Sequence, residues 1–286
     1  MKEEYPNYLK FVDEALELAK DIPKYFSKYS NKIYCNHQKL AIVVLMQRLK
    51  MTSREIIAFL KVSSEIRLLL GLHKIPVHTT ILRFMHKIKK LSHLILAIDK
   101  VKKAAIDSTG FALESKSYYY RTIWNQQKKQ KTKRFMKLSI TVDTNNQFIL
   151  RHKIRRKLRN DNVDFKVLLK KLKVNYVIAD KGYDSRENRK YVYQNNAIPQ
   201  IPFKKNSGRN GYYQKKAVKD FNKEIYGQRA KVETVFSVIK RKYGSMLRAR
   251  SDKTQEAELI SKLIAYNVDR KTHYIYLFYE RVAPEL

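Results

Sequence analysis

The sequence predicts an α/β chain in which a mixed sheet is flanked by helices and preceded by an all-helical region. Three observations point there. Up to about residue 95, apolar residues recur every three or four positions. From about residue 100, short runs of β-branched and aromatic residues are separated by turn residues. Beyond residue 160, helical segments alternate with short apolar strands. The expected division is 1–98, all helical, and 99–286, the sheet and its helices.

The elements follow in order. Tyr8 to Lys20 and His37 to Leu49 carry apolar residues at helical spacing. Thr52-Ser53-Arg54-Glu55 has the form of a capping box opening a helix to about Leu60, with Thr52 as cap. A further helix runs from Ser64 to Leu70 and stops at Gly71. After Pro76, Thr79 to Leu91 is basic on one side and apolar on the other. Short helices in succession suit a helix-turn-helix-like DNA-binding domain, and equally a helical bundle packed on its neighbour.

Ala104 to Gly110 is a strand ending in a turn at Ser108-Thr109-Gly110. Phe135 to Val142 and Phe148 to Ile154 are two more strands, joined by a hairpin turn at Asp143-Thr144-Asn145-Asn146. Asp161 to Leu172 is an amphipathic helix, and Tyr176 to Asp180 a short buried strand stopped at Lys181-Gly182. Ser185 to Asn195 (helix), Ile198 to Phe203 (strand), Tyr226 to Lys242 (helix) and Thr254 to about Arg270 (helix) complete the pattern. Three strands followed by alternating helices and strands fit a ribonuclease-H-like core.

Composition narrows the function. The chain has 286 residues, 61 Lys and Arg against 26 acids, and a net charge of +35. Such an excess raises self-repulsion unless a polyanion offsets it, and nucleic acid is the commonest one. A membrane surface is the competing partner. The charge is concentrated: Lys116 to Arg159 holds fourteen Lys and Arg with one acid, Asp143, and Lys204 to Lys216 holds five with none. Tyr118, Tyr119, Tyr120 and Trp124 interleave with the first tract, a mixture suited to distorted or unstacked nucleic acid as well as phosphate. Either tract could equally be a solvated face. A single cysteine, Cys35, excludes an internal disulfide and a Cys-rich zinc site. The longest apolar run, Leu40 to Met46, is far short of the ~20 residues that span a bilayer. No Gly-rich loop precedes a Lys-Ser or Lys-Thr pair, so a P-loop ATPase is excluded. An intracellular, cytoplasmic protein without a membrane span is expected.

Two acids stand at strand ends in apolar contexts, Asp107 and Asp180. Each could simply cap the turn that follows it. A third acid, Glu233, belongs to the strong helix, where Tyr226, Arg229, Glu233 and Lys240 stand at offsets 0, 3, 7 and 14. At about 100° per residue these four share a stripe roughly 60° wide. Val232, Val235, Phe236, Ile239 and Tyr243 form a neighbouring apolar sector that can dock on a sheet. A carboxylate between cations suits a site for both a metal and a phosphate, although a surface ion-pair ladder has the same spacing. The histidines show no metal-binding spacing. Asp161 and Asp164 open a helix where caps are expected, and together with Asp143 they stay outside the site.

These residues resemble a family. Asp107 in Ile-Asp-Ser-Thr-Gly, Asp180 in Ala-Asp-Lys-Gly-Tyr-Asp, and Glu233 look like the DDE triad of bacterial and archaeal insertion-sequence transposases. Tyr226, Arg229, Glu233 and Lys240 match that family's Tyr-x2-Arg-x3-Glu-x6-Lys signature at all four positions. The resemblance extends over roughly residues 35–270, more thinly at the N-terminal side, where it rests on Leu72 to Thr80. With only 52 residues between Asp180 and Glu233, a compact core without a large insertion is expected.

The resemblance implies a DNA transposase with a ribonuclease-H-like catalytic domain and an N-terminal DNA-binding or accessory domain. It implies that Asp107, Asp180 and Glu233 are catalytic and hold two Mg²⁺ (or Mn²⁺) ions about 4 Å apart across a scissile phosphate. Oxygen donors suit those ions, and the lack of thiols argues against zinc. Arg229 and Lys240 would contact phosphates at the element end, with Tyr226 stacking or bonding nearby. Lys181 and Asp184 follow the second acid and would assist. Expected partners are double-stranded DNA, as element ends and as target, and a second copy of the chain on DNA. Two rivals share the fold: a retired, non-cleaving DNA-binding protein, and a ribonuclease-H-type RNA nuclease.

Overall fold

The computed structural model describes residues 7–95, 100–113, 135–156, 160–205 and 208–282, with the side chains of 93–95 and 274–282 left aside. Tyr118, Tyr119, Tyr120, Trp124 and much of the first basic tract lie outside the described residues. The chain divides into two compact units. One gathers the helices up to residue 95 with residues 242–244 and everything from 249 onward; the other holds the sheet and its helices.

In the helical unit, α1 (Tyr8–Ala19) and α2 (Asn36–Arg48) pack with the C-terminal helix α12 (Asp252–Val282). Every residue from Leu40 to Met46 is buried, so α2 is the central helix, apolar all round. The helix expected to end near Arg270 continues to Val282. Arg48 at the end of α2 donates to Asp269 of α12 at 3.0 Å, and Tyr243 and Lys242 meet the same carboxylate.

The helix α3 (Ser53–Val62) opens with the expected capping box. Thr52 Oγ1 accepts from the Glu55 amide at 3.3 Å and Glu55 Oε2 accepts from the Thr52 amide at 2.6 Å. Thr52→Ala is therefore expected to cost about 1 kcal/mol in a denaturant titration, with Thr52→Ser close to wild type. The following helix α4 (Ser64–Leu69) ends in a Schellman turn at Gly71. The Leu72 amide reaches Arg67 O at 3.0 Å and the Gly71 amide reaches Leu68 O at 2.9 Å, with Gly71 at φ 59°, a region that favours glycine. One helix was expected over Thr79 to Leu91. The chain instead makes α5 (His78–Met85) and α6 (Ile88–Ile95), separated at His86-Lys87.

The second unit is built on β1 (Lys100–Leu113), β2 (Phe135–Asp143), β3 (Ile149–Arg155), β4 (Lys173–Ala179), β5 (Ile198–Gln200) and β6 (Met246–Leu247). Their order is β3-β2-β1-β4-β5, with β6 paired to the far end of β1. Only β2 runs against its neighbours. A mixed sheet of this order, flanked by helices, is the ribonuclease-H-like arrangement expected. The turn expected at Ser108-Thr109-Gly110 is instead strand, because β2 pairs with β1 through Ala112.

The chain also forms α7 (Asn162–Leu169), a 3₁₀ turn (Lys181–Tyr183), α8 (Arg186–Gln194), α9 (Tyr212–Asp220), α10 (Lys223–Gly227) and α11 (Ala230–Tyr243). Alternation along β1 sorts its side chains between two layers. Ala104 and Ile106 join Phe165, Leu168, Tyr183 and Val192 in one core, toward α7 and α8. Asp107 and Thr109 bond to side chains of the α11 segment, from the other face. Among the described residues no helix is long and apolar enough to cross a membrane.

Candidate active site

Asp107 sits mid-strand on β1, flanked by buried Ile106 and facing the α11 side of the sheet. Parallel β4 pairs Ala179 with Ile106, which sets Asp180 one residue on, beside Asp107 on the adjacent strand. Asp180 caps the 3₁₀ turn that follows it, as the simpler reading required, whereas Asp107 lies inside a strand and has no turn to cap. Asp107 Oδ1 accepts from the Ser108 amide at 2.8 Å, and Asp180 Oδ1 accepts from the Lys181 amide at 2.7 Å. These bonds fix the carboxylates without using them up. Oδ2 of Asp107 takes an arginine, and Oδ2 of Asp180 has no hydrogen-bond partner among the described residues.

That arginine is Arg229. Its Nη1 lies 3.4 Å from Asp107 Oδ2 and its Nη2 lies 2.6 Å from Glu233 Oε1. One guanidinium thus joins an acid of the sheet to an acid of the helix, with Asp180 and Tyr226 within its field. Lys240, two turns further along α11, donates to Thr109 Oγ1 at 2.6 Å, with its ammonium 5.5 Å from the Phe111 ring. The sequence therefore brings Asp107, Asp180, Tyr226, Arg229 and Glu233 together. Lys240 stands apart along β1, and Lys181 is exposed beside Asp180.

The continuous helix expected from Tyr226 is broken. Tyr226 belongs to α10, and Gln228-Arg229 form a tight turn before α11, with the Arg229 amide bonded to Tyr226 O at 2.9 Å. Gln228 is held there by Thr144 Oγ1 at 3.0 Å, so the interruption is anchored on the sheet.

Asp184 is excluded from the site by its partners. Its Oδ1 pairs with fully buried Arg189 at 2.9 Å, and its Oδ2 accepts from the Lys204 amide at 2.8 Å. It holds α8 to the chain beyond β5. Conversely, Asp161 makes no side-chain cap at α7; it accepts from Ser108 Oγ at 3.1 Å and pairs with Lys137. Asp161 thus braces the residue after Asp107 from the opposite face of the sheet. Asp164 is buried and bonded to Arg155 at 2.5 Å.

Burial pushes the Asp107 carboxyl above its ordinary value; the Ser108 amide and Arg229 oppose this, while Asp180 and Glu233 reinforce it. For Arg229, burial alone would lower the guanidinium, but Glu233, Tyr226, Asp107 and Asp180 together raise it. A carboxyl with a raised folded-state pKa binds its proton more tightly in the folded chain. Its ionised form therefore costs stability above that pKa, and the cost fades as pH falls through it. Asp107→Asn is expected to raise the melting temperature in EDTA at pH 7, with the difference closing toward acid. Thermal melts across that pH range provide the check.

The family called Transposase DDE domain matches residues 102–268, more than half of the chain. The chain belongs to the transposase DDE family. No curated protein matches it in sequence. Among solved structures it is similar to a piggyBac transposase, determined by cryo-EM in a synaptic complex with hairpin DNA. The TM-score is 0.50 at 10% identity, covering 96% of this chain and 76% of that one. At that identity the likeness speaks for the fold.

DDE transposases use divalent metals, and the donor set here fits such ions. Asp107, Asp180 and Glu233 offer only oxygen, which suits hard cations. Among the described residues no three acidic, histidine or cysteine side chains form a finished metal cage. Arg229 is the cation that Asp107 and Glu233 share, so these two acids already converge on one positive charge.

Proposed function

We propose that this chain is a metal-dependent DNA transposase. It binds double-stranded DNA at the ends of a mobile element, hydrolyses phosphodiester bonds there, and joins the freed 3′-OH to target DNA. The observation that carries this reading is the convergence of Asp107 and Glu233 on one guanidinium, with Asp180 on the adjacent strand. Asp107, Asp180 and Glu233 would hold the metal. Two Mg²⁺ or Mn²⁺ ions bound there would activate the attacking oxygen and stabilise the leaving one.

The remaining side chains position DNA. Arg229 exchanges its carboxylate partners for a phosphate oxygen, Lys240 and Lys181 add phosphate contacts, and Tyr226 packs or bonds beside them. The net charge of +35 makes binding fall steeply with salt. Handling two ends at once calls for two copies of the chain on DNA. The helical unit is assigned the accessory, DNA-gripping role.

The experiment is incubation with a duplex carrying the DNA that flanks its own gene, in Mg²⁺, Mn²⁺ or EDTA. Cuts at defined ends and joined products that need metal are expected. Salt-sensitive binding without cutting in any metal, at any flank, would establish the retired, DNA-binding protein instead.

A further inference from the structure

We propose that a cleft between the N-termini of α8 and α9 binds a backbone phosphate of DNA, separately from the carboxylate cluster. The proposal rests on the DNA-transposase reading and adds a second contact point to it. The cleft, about 340 Å³, is lined by Ser185, Arg186, Asn210, Gly211 and Gln214, together with Asp184. Two helices begin at it. The α8 N-terminus is capped by Ser185, whose Oγ accepts from the Asn188 amide at 3.1 Å, and Arg186 follows as its first residue. The α9 N-terminus has no side-chain cap. Its first backbone bond is from Lys215 to Gly211 O at 2.9 Å, so the amides of Tyr212, Tyr213 and Gln214 have no partner among the described residues. Orphan amides at the positive end of a helix favour an anion.

A second observation is independent of helix geometry. Gln214 is only 6% exposed and lines the cleft, yet its carboxamide has no hydrogen-bond partner among the described residues. Its carboxamide atoms are not sealed in the interior but open on the cleft, where a bound ligand can meet them. Gln214 converges with Arg186 over the start of α9. A Cβ on Gly211 would run into Gln214 Oε1 and come within 3.0 Å of Arg186 Nη2. Asp184 contributes no open charge, because Arg189 and the Lys204 amide already engage it.

Beside the engaged Asp184 carboxylate, the lining offers donors: three backbone amides, a guanidinium and the carboxamide nitrogen of Gln214. Such a set matches the oxygens of a phosphate. The neighbouring surface selects a polynucleotide over a free ion. Tyr212 is 74% exposed at the start of α9, Tyr213 stacks on Tyr193 at 5.9 Å, and Lys216 lies 4.7 Å from the Tyr193 ring. Aromatic rings and a cation beside a phosphate pocket suit a nucleotide chain.

The test is backbone amide NMR of the deuterated full chain, titrated with duplex DNA and separately with inorganic phosphate, for wild type and Arg186→Gln. Saturable shifts of Tyr212, Tyr213 and Gln214 with DNA are expected, weaker with phosphate and reduced several-fold in Arg186→Gln. In parallel binding assays the same variant should lower the salt slope by about one. If DNA shifts the amides around Asp107 and Lys240 but leaves Tyr212 to Gln214 unmoved, the cleft is not a DNA contact, while the transposase reading stands. If DNA shifts neither region, both fall. If inorganic phosphate saturates the cleft and DNA does not compete, the site is one for free phosphate and the proposal is overturned.

Discussion

Glu233→Gln is expected to lower metal-dependent DNA cutting by at least about 10³-fold, equivalent to ~4 kcal/mol of transition-state stabilisation. The substitution keeps the shape and removes the charge. Glu233 is half exposed on α11 and pairs with Arg229, so the fold loses little. Melting temperature and DNA affinity should stay near wild type while cutting vanishes. Asp107→Asn and Asp180→Asn should likewise abolish cutting and leave DNA affinity near wild type, with Asp107→Asn also melting higher in EDTA at pH 7. Arg229→Gln should behave differently, weakening DNA binding as well, because its guanidinium is assigned to phosphate. Gel-based cutting and binding measured on the same protein preparations separate the two patterns.

The largest expected loss of stability comes from Arg189→Leu. Arg189 is fully buried, donates to Asp184 Oδ1 at 2.9 Å and to Ile201 O at 2.8 Å, and lies 3.8 Å from the centre of the Phe203 ring. Burial pulls its guanidinium below the ordinary value even with Asp184 beside it, and its Nη1 has no hydrogen-bond partner among the described residues. Removing the arginine alone strands the Asp184 carboxylate, a loss of ~3–5 kcal/mol. For a chain of this size that is a fall of roughly 10 °C or more in melting temperature. Adding Asp184→Leu should recover part of the loss, since the stranded charge then disappears. Calorimetry of the two single variants and the double closes the cycle. A double variant as unstable as Arg189→Leu would contradict this account of the pair.

How much of this was legible beforehand depended on range. The strands carrying Asp107 and Asp180 announce themselves by short apolar runs that need no distant partner to be recognised. The capping box at Thr52 and the stop at Gly71 are equally local. The end of β1 is not legible locally, because Ser108-Thr109-Gly110 has turn composition and only pairing with β2 makes it strand. The break at Gln228-Arg229 was hidden for a similar reason. Nothing in the spacing of Tyr226, Arg229, Glu233 and Lys240 reveals that Thr144, 84 residues earlier, pins Gln228. The helix-opening position of Asp161 suggests a cap, yet its partners Lys137 and Ser108 lie 24 and 53 residues away. Asp184 erred in the opposite direction: adjacency to the second acid suggested chemistry, while burial against Arg189 gives it a structural role.

Asp107 and Glu233, which share Arg229 in the protein alone, and Asp180 on the adjacent strand are proposed as the seat of a divalent metal. The measurement that tests it most directly is Mn²⁺ titration followed by electron paramagnetic resonance, on the protein bound to duplex DNA. It requires wild type, Glu233→Gln and Asp107→Asn/Asp180→Asn. Loss of the free Mn²⁺ signal on wild type, weakened in Glu233→Gln and absent in the double variant, is the predicted result. Equal Mn²⁺ binding by all three proteins, or none by wild type on DNA, would contradict it.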